Sequence, residues 1–191
     1  MADPIQAIIG LGNPGPHYHQ TRHNAGSWFL HAVAERHGAA LRPESRFHGL
    51  LGRAEIDGRP LWLLEPTTYM NRSGEAVAAL ARFYKLPPRS LLVAHDELDL
   101  PPGTVRLKLG GGHGGHNGLR DIIARLGSRD FLRLRLGIGH PGHKDAVTGY
   151  VLSRPRPEER AAIDQAIECA LEVLPQVVSG ELQAAMNRLH R

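Results

Sequence analysis

One imidazole, one carboxylate and three amides in this chain sit in the loops that follow apolar runs or lead into helices. Asn13 follows the first such run in Gly10-Leu-Gly-Asn-Pro-Gly15, and His23 lies in Thr21-Arg-His-Asn-Ala-Gly26. Asn71 sits in Pro66-Thr-Thr-Tyr-Met-Asn-Arg-Ser-Gly74, and Asp96 ends Leu91-Leu-Val-Ala-His-Asp96. Asn117 stands near the end of Gly110-Gly-Gly-His-Gly-Gly-His-Asn-Gly118. Ligands of open α/β sheets gather at the carboxyl ends of strands, so these five side chains can meet in one crevice. An imidazole takes a proton from water at neutral pH, and an Asp on its other ring nitrogen fixes the tautomer. Amides supply donors to a developing oxyanion. Together such a set suits hydrolysis of an ester by activated water, with no protein nucleophile. The residue types alone leave plainer roles open. Asn13 can be a turn residue before Pro14, Asn24, Asn71 and Asn117 can cap helices, and His23 is one of 12 histidines.

Those positions need a scaffold. Apolar runs at Ile5–Leu11, Leu50–Ile56, Leu61–Leu64, Leu91–Ala94, Val105–Leu109 and Leu132–Ile138 predict strands. Apolar and basic residues alternate in Val105-Arg-Leu-Lys-Leu109 and Leu132-Arg-Leu-Arg-Leu136, which predicts two half-buried strands with a basic outer face. Helical spacing begins near Asn24 and runs through Trp28, Phe29, Ala32 and Val33. Ser73 is the expected N-cap of a second helix, with Val77, Leu80, Ala81 and Tyr84 on one face. A third helix follows Asn117 and stops at Gly127. Ile163, Ile167, Ala170, Leu171 and Leu174 predict a tail helix that carries Cys169 in the core and is interrupted at Pro175, and a short helix is expected over Glu181–Leu189. Strands interleaved with helices, without repeat or linker, predict one α/β sandwich domain over 1–191 around a mostly parallel or mixed sheet.

Composition narrows the class. At 191 residues, 41% of them apolar, the chain suits one domain with a real core, and a single cysteine leaves no intramolecular disulfide, as expected of a reducing cytosol. Met1-Ala2-Asp3-Pro4 opens no signal peptide, and no apolar run is long enough for a membrane span, so a soluble, cytoplasmic protein is expected. An isoelectric point near 9.6 points toward a phosphate-bearing partner. Residues 101–160 hold eleven Lys/Arg and five Asp/Glu, a local excess of +6 against +4 for the whole chain. Arg outnumbers Lys 20 to 3, a bias that codon usage alone can produce.

Three G-x-G-x-x-G matches, at Gly10/Gly12/Gly15, Gly110/Gly112/Gly115 and Gly137/Gly139/Gly142, invite a dinucleotide reading. None opens directly onto a helix with an acid closing the following strand, so no cofactor is expected.

Taken together, the segments quoted above resemble bacterial peptidyl-tRNA hydrolases. The resemblance continues through Val93-Ala-His-Asp-Glu-Leu-Asp-Leu-Pro-Pro-Gly103, Lys108-Leu-Gly-Gly-Gly-His-Gly-Gly-His-Asn-Gly118, Arg135-Leu-Gly-Ile-Gly-His-Pro-Gly142 and Asn187-Arg-Leu-His190, in order and at compatible spacing. It implies a single-domain α/β fold with a twisted mixed sheet between helices. It also implies cleavage of the ester between peptide and tRNA, which recycles tRNA from aborted translation, by an enzyme expected to act as a cytoplasmic monomer without metal or cofactor. By position, His23 is similar to the water-activating base and Asp96 to its partner. Asn13 matches a peptide contact, while Asn71 and Asn117 match amides that position substrate and water. Tyr18 and Tyr69 match crevice positions that contact substrate, and Lys108 with Arg135 match a clamp on the tRNA 5′-phosphate. Residues 155–174 are expected to form a helical cover over the crevice. The chain departs from the family in having His143-Lys144 where an acid commonly precedes the lysine, and in a shortened Gly127-Ser-Arg-Asp-Phe131.

Two other readings compete. A protein that kept this fold for RNA binding alone would not need the full set of Asn13, His23, Asn71, Asp96 and Asn117. A metallohydrolase would use His113, His116, His140 and His143, since H-x-x-H occurs twice, but glycine-rich loops preorganise ligands poorly.

Overall fold

The computed structural model describes residues 2–190, so the outermost residues of the domain expected over 1–191 lie outside the described ones. Among the described residues, seven strands form one sheet: β1 (Ala7–Gly10), β2 (Arg42–Glu44), β3 (Gly49–Ile56), β4 (Arg59–Pro66), β5 (Leu91–Glu97), β6 (Val105–Leu109) and β7 (Leu132–Gly137). Their order is β2-β3-β4-β1-β5-β7-β6. The central strands β4, β1, β5 and β7 run parallel, and the flanking strands β2, β3 and β6 join antiparallel. The mixed α/β sandwich expected from the sequence is the observed architecture. β2, with Pro43 on an edge strand where a missing N–H costs no ladder bond, was not anticipated.

Among the described residues six helices cover the sheet: α1 (Ala25–Arg36), α2 (Ser73–Tyr84), α3 (Asn117–Leu126), α4 (Val147–Val151), α5 (Pro157–Ser179) and α6 (Leu182–Leu189). The period of two along β1 sorts its side chains between two cores. Ile8 packs with Phe29, Leu30, Ile167 and Leu171 on the side of α1 and α5, and Ala7 and Ile9 pack with Val77, Leu80, Leu119 and Ile122 on the side of α2 and α3. Among the described residues no helix is long and apolar enough to cross a membrane.

Four local expectations change. Ser73 is the first residue of α2 rather than its cap, and its hydroxyl donates back to Met70 O at 2.7 Å. Pro175 lies inside α5, which continues to Ser179, because Val173, Leu174, Val177 and Val178 are all buried and their packing outweighs one lost helical hydrogen bond. Cys169 is exposed on α5. The basic outer face holds for β6 but not for Arg133 of β7, which is 2% exposed.

Parallel strands bring their carboxyl ends to one edge, and glycines set how closely the following helix approaches. A Cβ on Gly26 of α1 would lie 2.1 Å from Ala94 O, and one on Gly10 would lie 2.6 Å from Gly26 O. Helix α1 therefore rests on the sheet backbone at the point where its preceding turn presents His23. Replacing Gly26 by Ala forces backbone apart, not a flexible side chain, and overpacking of this kind costs about 1–3 kcal/mol. Urea unfolding of Gly26→Ala is expected to show a lowered midpoint at unchanged slope, and a wild-type midpoint would refute the contact's importance.

Candidate active site

β5 carries the centre of the site. Asp96 stands at its carboxyl end, 4% exposed, and both of its oxygens are engaged. Oδ2 lies 2.9 Å from His23 Nδ1, and Oδ1 lies 2.8 Å from His116 Nε2. His116 is the N-cap of α3, and its Nδ1 accepts from Gly118 N at 3.1 Å and Leu119 N at 3.3 Å. Its proton is therefore on Nε2, which donates to the carboxylate. His23, on a 3₁₀ turn Arg22–Asn24 ahead of α1, donates from Nδ1 and is left with the Nε2 lone pair.

Electrostatics follow from this arrangement. Burial alone pulls the His23 pKa down, but the Asp96 charge and hydrogen bond outweigh it and hold it above the usual 6.5. Burial likewise opposes ionisation of Asp96, yet His23 and His116 keep its carboxyl far below the usual carboxylate range. His95, one residue earlier, shifts the other way. Its Nδ1 donates to Asp96 O at 2.8 Å, its Nε2 is buried without a partner, and burial with the nearby His116 pushes its pKa down to about 4.

The three amides arrive by different routes. Asn13 follows β1, where the Asn24 side chain brackets its backbone: Asn13 N donates to Asn24 Oδ1 at 2.9 Å and Asn24 Nδ2 to Asn13 O at 3.0 Å. Gly12 makes room, since a Cβ there would lie 2.6 Å from Asn24 Nδ2. Asn13 Oδ1 accepts from Met70 N at 2.7 Å, which leaves its Nδ2 as the donor for the crevice. Asn71 lies on the 3₁₀ turn after β4 and Asn117 opens α3. The crevice, about 320 Å³, is lined on its polar side by Asn13, His23, Asn71, Asp96, His116 and Asn117. Its apolar wall comes from Leu98 and from Val147, Val151 and Leu152 on and beside α4. The segment 155–174 instead runs into α5, whose apolar residues Ile163, Ile167 and Leu171 belong to the core.

Tyr69 lines the crevice and is 59% exposed, and Tyr18 meets it edge-on with ring centroids 6.1 Å apart. Lys108 and Arg135 lie on neighbouring strands and share one sheet face, but they are not directly opposed: Lys108 faces Arg133, and Arg106 faces Arg135. Arg133 is spent on structure, donating to the carbonyls of Gly111, Gly112 and Arg129 under the Phe131 ring, and burial lowers its pKa to about 10. Arg135 is joined to the site through Glu97, 2.9 Å from its Nε.

This layout corrects one premise. β6 is antiparallel, and its last residue Leu109 stands level with Leu132 and Leu92, at the opposite end from Asp96. Asn117 is therefore not at a strand exit. The glycine-rich loop carries His116 and Asn117 back along the sheet, and Arg133 holds that loop by its carbonyls. Sequence reasoning offered His116 only as a metal ligand and missed it as the α3 cap bonded to Asp96, because histidine is not among the preferred N-cap residues. Strand alternation likewise shows which residues share a face but not the register between strands, so it does not place Arg106 opposite Arg135. The two H-x-x-H pairs do not converge. His113 and His140 accept from Gly115 N and Gly142 N within their own turns. Among the described residues, the histidine–carboxylate group close enough to share an ion is His23, Asp96 and His116.

A family model described as peptidyl-tRNA hydrolase matches residues 7–191. The chain belongs to the peptidyl-tRNA hydrolase family. A curated peptidyl-tRNA hydrolase of Marinobacter nauticus is 57% identical over 190 residues, covering 100% of this chain and 97% of the relative. One from Coxiella burnetii is 56% identical over 190 residues, covering 100% of both. The crystal structure of peptidyl-tRNA hydrolase from Acinetobacter baumannii aligns with a TM-score of 0.95 at 50% identity, covering 97% of this chain and 94% of that one. The family likeness thus spans every element that brings a residue to the crevice.

The opposing influences on His23 are separable. In Asp96→Asn the charge is gone while burial remains, so the His23 ring is expected to titrate below 6.5 instead of above it. Two-dimensional NMR of the imidazole nitrogens reads this directly, and an unmoved titration would remove Asp96 as the cause.

Proposed function

We propose that this chain hydrolyses the ester joining a peptide to the 3′ end of tRNA, with His23 activating water. The observation that carries the mechanism is the His23–Asp96 pair at 2.9 Å, with the His23 Nε2 lone pair left for the crevice. Water gives a proton to Nε2 as its oxygen bonds to the ester carbonyl carbon, and the carbonyl oxygen becomes an oxyanion. Amide donors at Asn13, Asn71 and Asn117 are within the crevice to stabilise that charge and to orient peptide and water. Collapse breaks the bond to the ribose oxygen, which takes the proton back from His23. The products are a peptide carboxylic acid and tRNA with a free hydroxyl. Asp96 stabilises the imidazolium between these steps, and His116 holds Asp96 from its other oxygen. None of these steps calls for a cofactor.

The substrate's nucleic-acid end is assigned to the Tyr18/Tyr69 pair, where an aromatic face stacks a terminal base, and to the basic ribbon of β6 and β7. On that ribbon Arg135 with Lys108 binds the tRNA 5′-phosphate, and we add Arg106, which stands directly opposite Arg135. Charge contacts of this kind read phosphate and not base sequence, as an enzyme serving many tRNAs requires. We place the reaction in the cytoplasm and assign it to the monomer, since one chain supplies every residue named. A binding protein without chemistry is disfavoured because the full polar set is assembled around a base with a raised pKa.

The test is release of labelled N-blocked aminoacyl groups from tRNA, with unblocked aminoacyl-tRNA as control. Hydrolysis of the first and not the second is expected. His23→Ala should lose roughly 10²–10⁴ in turnover while still folding and binding tRNA, and retained hydrolysis would sink the assignment. For the ribbon, Arg106→Ser should weaken tRNA binding and reduce the slope of log K against log salt by roughly one. A slope equal to wild type would take Arg106 out of the interface.

A further inference from the structure

Arg22 and His23 are consecutive residues of one 3₁₀ turn, and their side chains turn to different elements. His23 turns to Asp96. Arg22 turns to α4 and α5. Its backbone N donates to Ser153 O at 3.0 Å, Nη1 donates to Tyr150 O at 3.2 Å and to Ser153 Oγ at 2.5 Å, and Nη2 donates to Glu159 Oε1 at 2.9 Å. The guanidinium also lies 3.9 Å over the Tyr150 ring, and the residue is only 7% exposed.

Each partner is itself anchored. Tyr150 OH donates to Ile138 O at 2.6 Å, and Ser153 Oγ donates on to Tyr150 O at 2.7 Å. Glu159 Oε1 also accepts from Arg156 N at 2.8 Å, at the start of α5. A single guanidinium thus joins the turn of the base, the end of α4 and the first turn of α5. The dependence on it is greatest for α4. That helix has five residues, of which only Val151 is buried, and so short a helix has little stability of its own. Yet it supplies the apolar wall opposite the polar groups. Arg suits the task because its planar fork serves several acceptors at once, whereas a Lys ammonium on a flexible stem is a point charge.

We propose that Arg22 is a positioning residue that sets the width of the crevice by tying the apolar wall on α4 to the turn that carries His23. The tie acts on whatever lies against Val147, Val151 and Leu152. In the function proposed above, on which this part rests, that is the peptidyl chain, so Arg22 governs substrate binding more than the bond-breaking step, which His23 and Asp96 hold independently.

The full chain carrying Arg22→Lys, and separately Ser153→Ala at an exposed position, tests this. Amide hydrogen exchange in residues 147–153 is expected to speed up roughly tenfold in Arg22→Lys and less in Ser153→Ala, with β1 and β5 unchanged. With N-acetylated dipeptidyl-tRNA, KM is expected to rise roughly five- to tenfold while kcat stays within about twofold. Unchanged exchange in α4 in both variants would overturn the tie, and faster exchange throughout the sheet would reduce Arg22 to a general stabiliser. A loss confined to kcat would overturn the binding role. The exchange result does not depend on substrate. A wild-type chain inactive on peptidyl-tRNA would refute the proposed function and leave the tie standing or falling on exchange alone.

Discussion

A carboxylate removed from water must be matched at both oxygens, and the arrangement of this molecule around Asp96 follows from that requirement. An unpaired buried charge is prohibitively costly, so the fold has to deliver two donors from outside β5. One comes from the turn before α1 and the other from the cap of α3. The first delivery requires α1 to lie against the backbone of β1 and β5, which is why a Cβ is excluded at Gly10 and Gly26. The second requires a loop that leaves an antiparallel strand at the wrong end of the sheet and returns, held by a buried arginine on its carbonyls. The glycine-rich segment that imitates a phosphate cradle in sequence is, in the structure, the return path of His116.

The end of β5 also distributes charge in three directions within three residues. Asp96 accepts from the two imidazoles that keep it ionised, Glu97 pairs with Arg135 on the basic ribbon, and His95 turns its N–H onto the Asp96 carbonyl. His23 and His95 illustrate how orientation decides titration. Both are buried, but one faces a carboxylate and is held protonated longer, while the other faces a carbonyl and a second imidazole and is driven neutral. Burial has the same sign for both, and the partner decides the net result.

Much of this was legible from residue patterns. Periodicity located every strand but β2 and the main helices, and the five polar residues expected to meet do line one crevice. What stayed hidden shares a physical cause: it depends on relations between segments, not within them. Alternation marked Arg133 as an outer-face charge, because period two assigns faces without saying whether a loop will fold over one of them. Ser73 looked like a cap, but the chain enters α2 through a 3₁₀ turn that already contains Met70–Arg72, so the hydroxyl bonds backward. Pro175 looked like a stop, since local rules cannot weigh one missing bond against the buried residues on either side of it. The apolar wall comes from residues near 147–152, a stretch too short and too exposed to announce itself as a helix.

In the proposed function the register of the sheet bears on recognition as well as on catalysis. β5 sets the level of each feature: Asp96 pairs with Leu136, His95 with Arg135 and Val93 with Arg133. Arg106 lies opposite Arg135 and Lys108 opposite Arg133, so the exposed cations sit one and three residues below the carboxylate that pairs with His23. At about 3.3 Å per residue that places them roughly 3 to 10 Å along the strand from Asp96, on the same rigid ladder. In the proposed reading, one end of the substrate is an ester and the other a phosphate of the same acceptor stem. A hydrogen-bonded sheet fixes the distance between their binding groups more firmly than a pair of loops does, because the ladder cannot stretch without breaking register. In that reading selection for tRNA arises from the spacing of two sequence-blind contacts, and the short helix α4 lines the side of the crevice where substrates differ, the peptide.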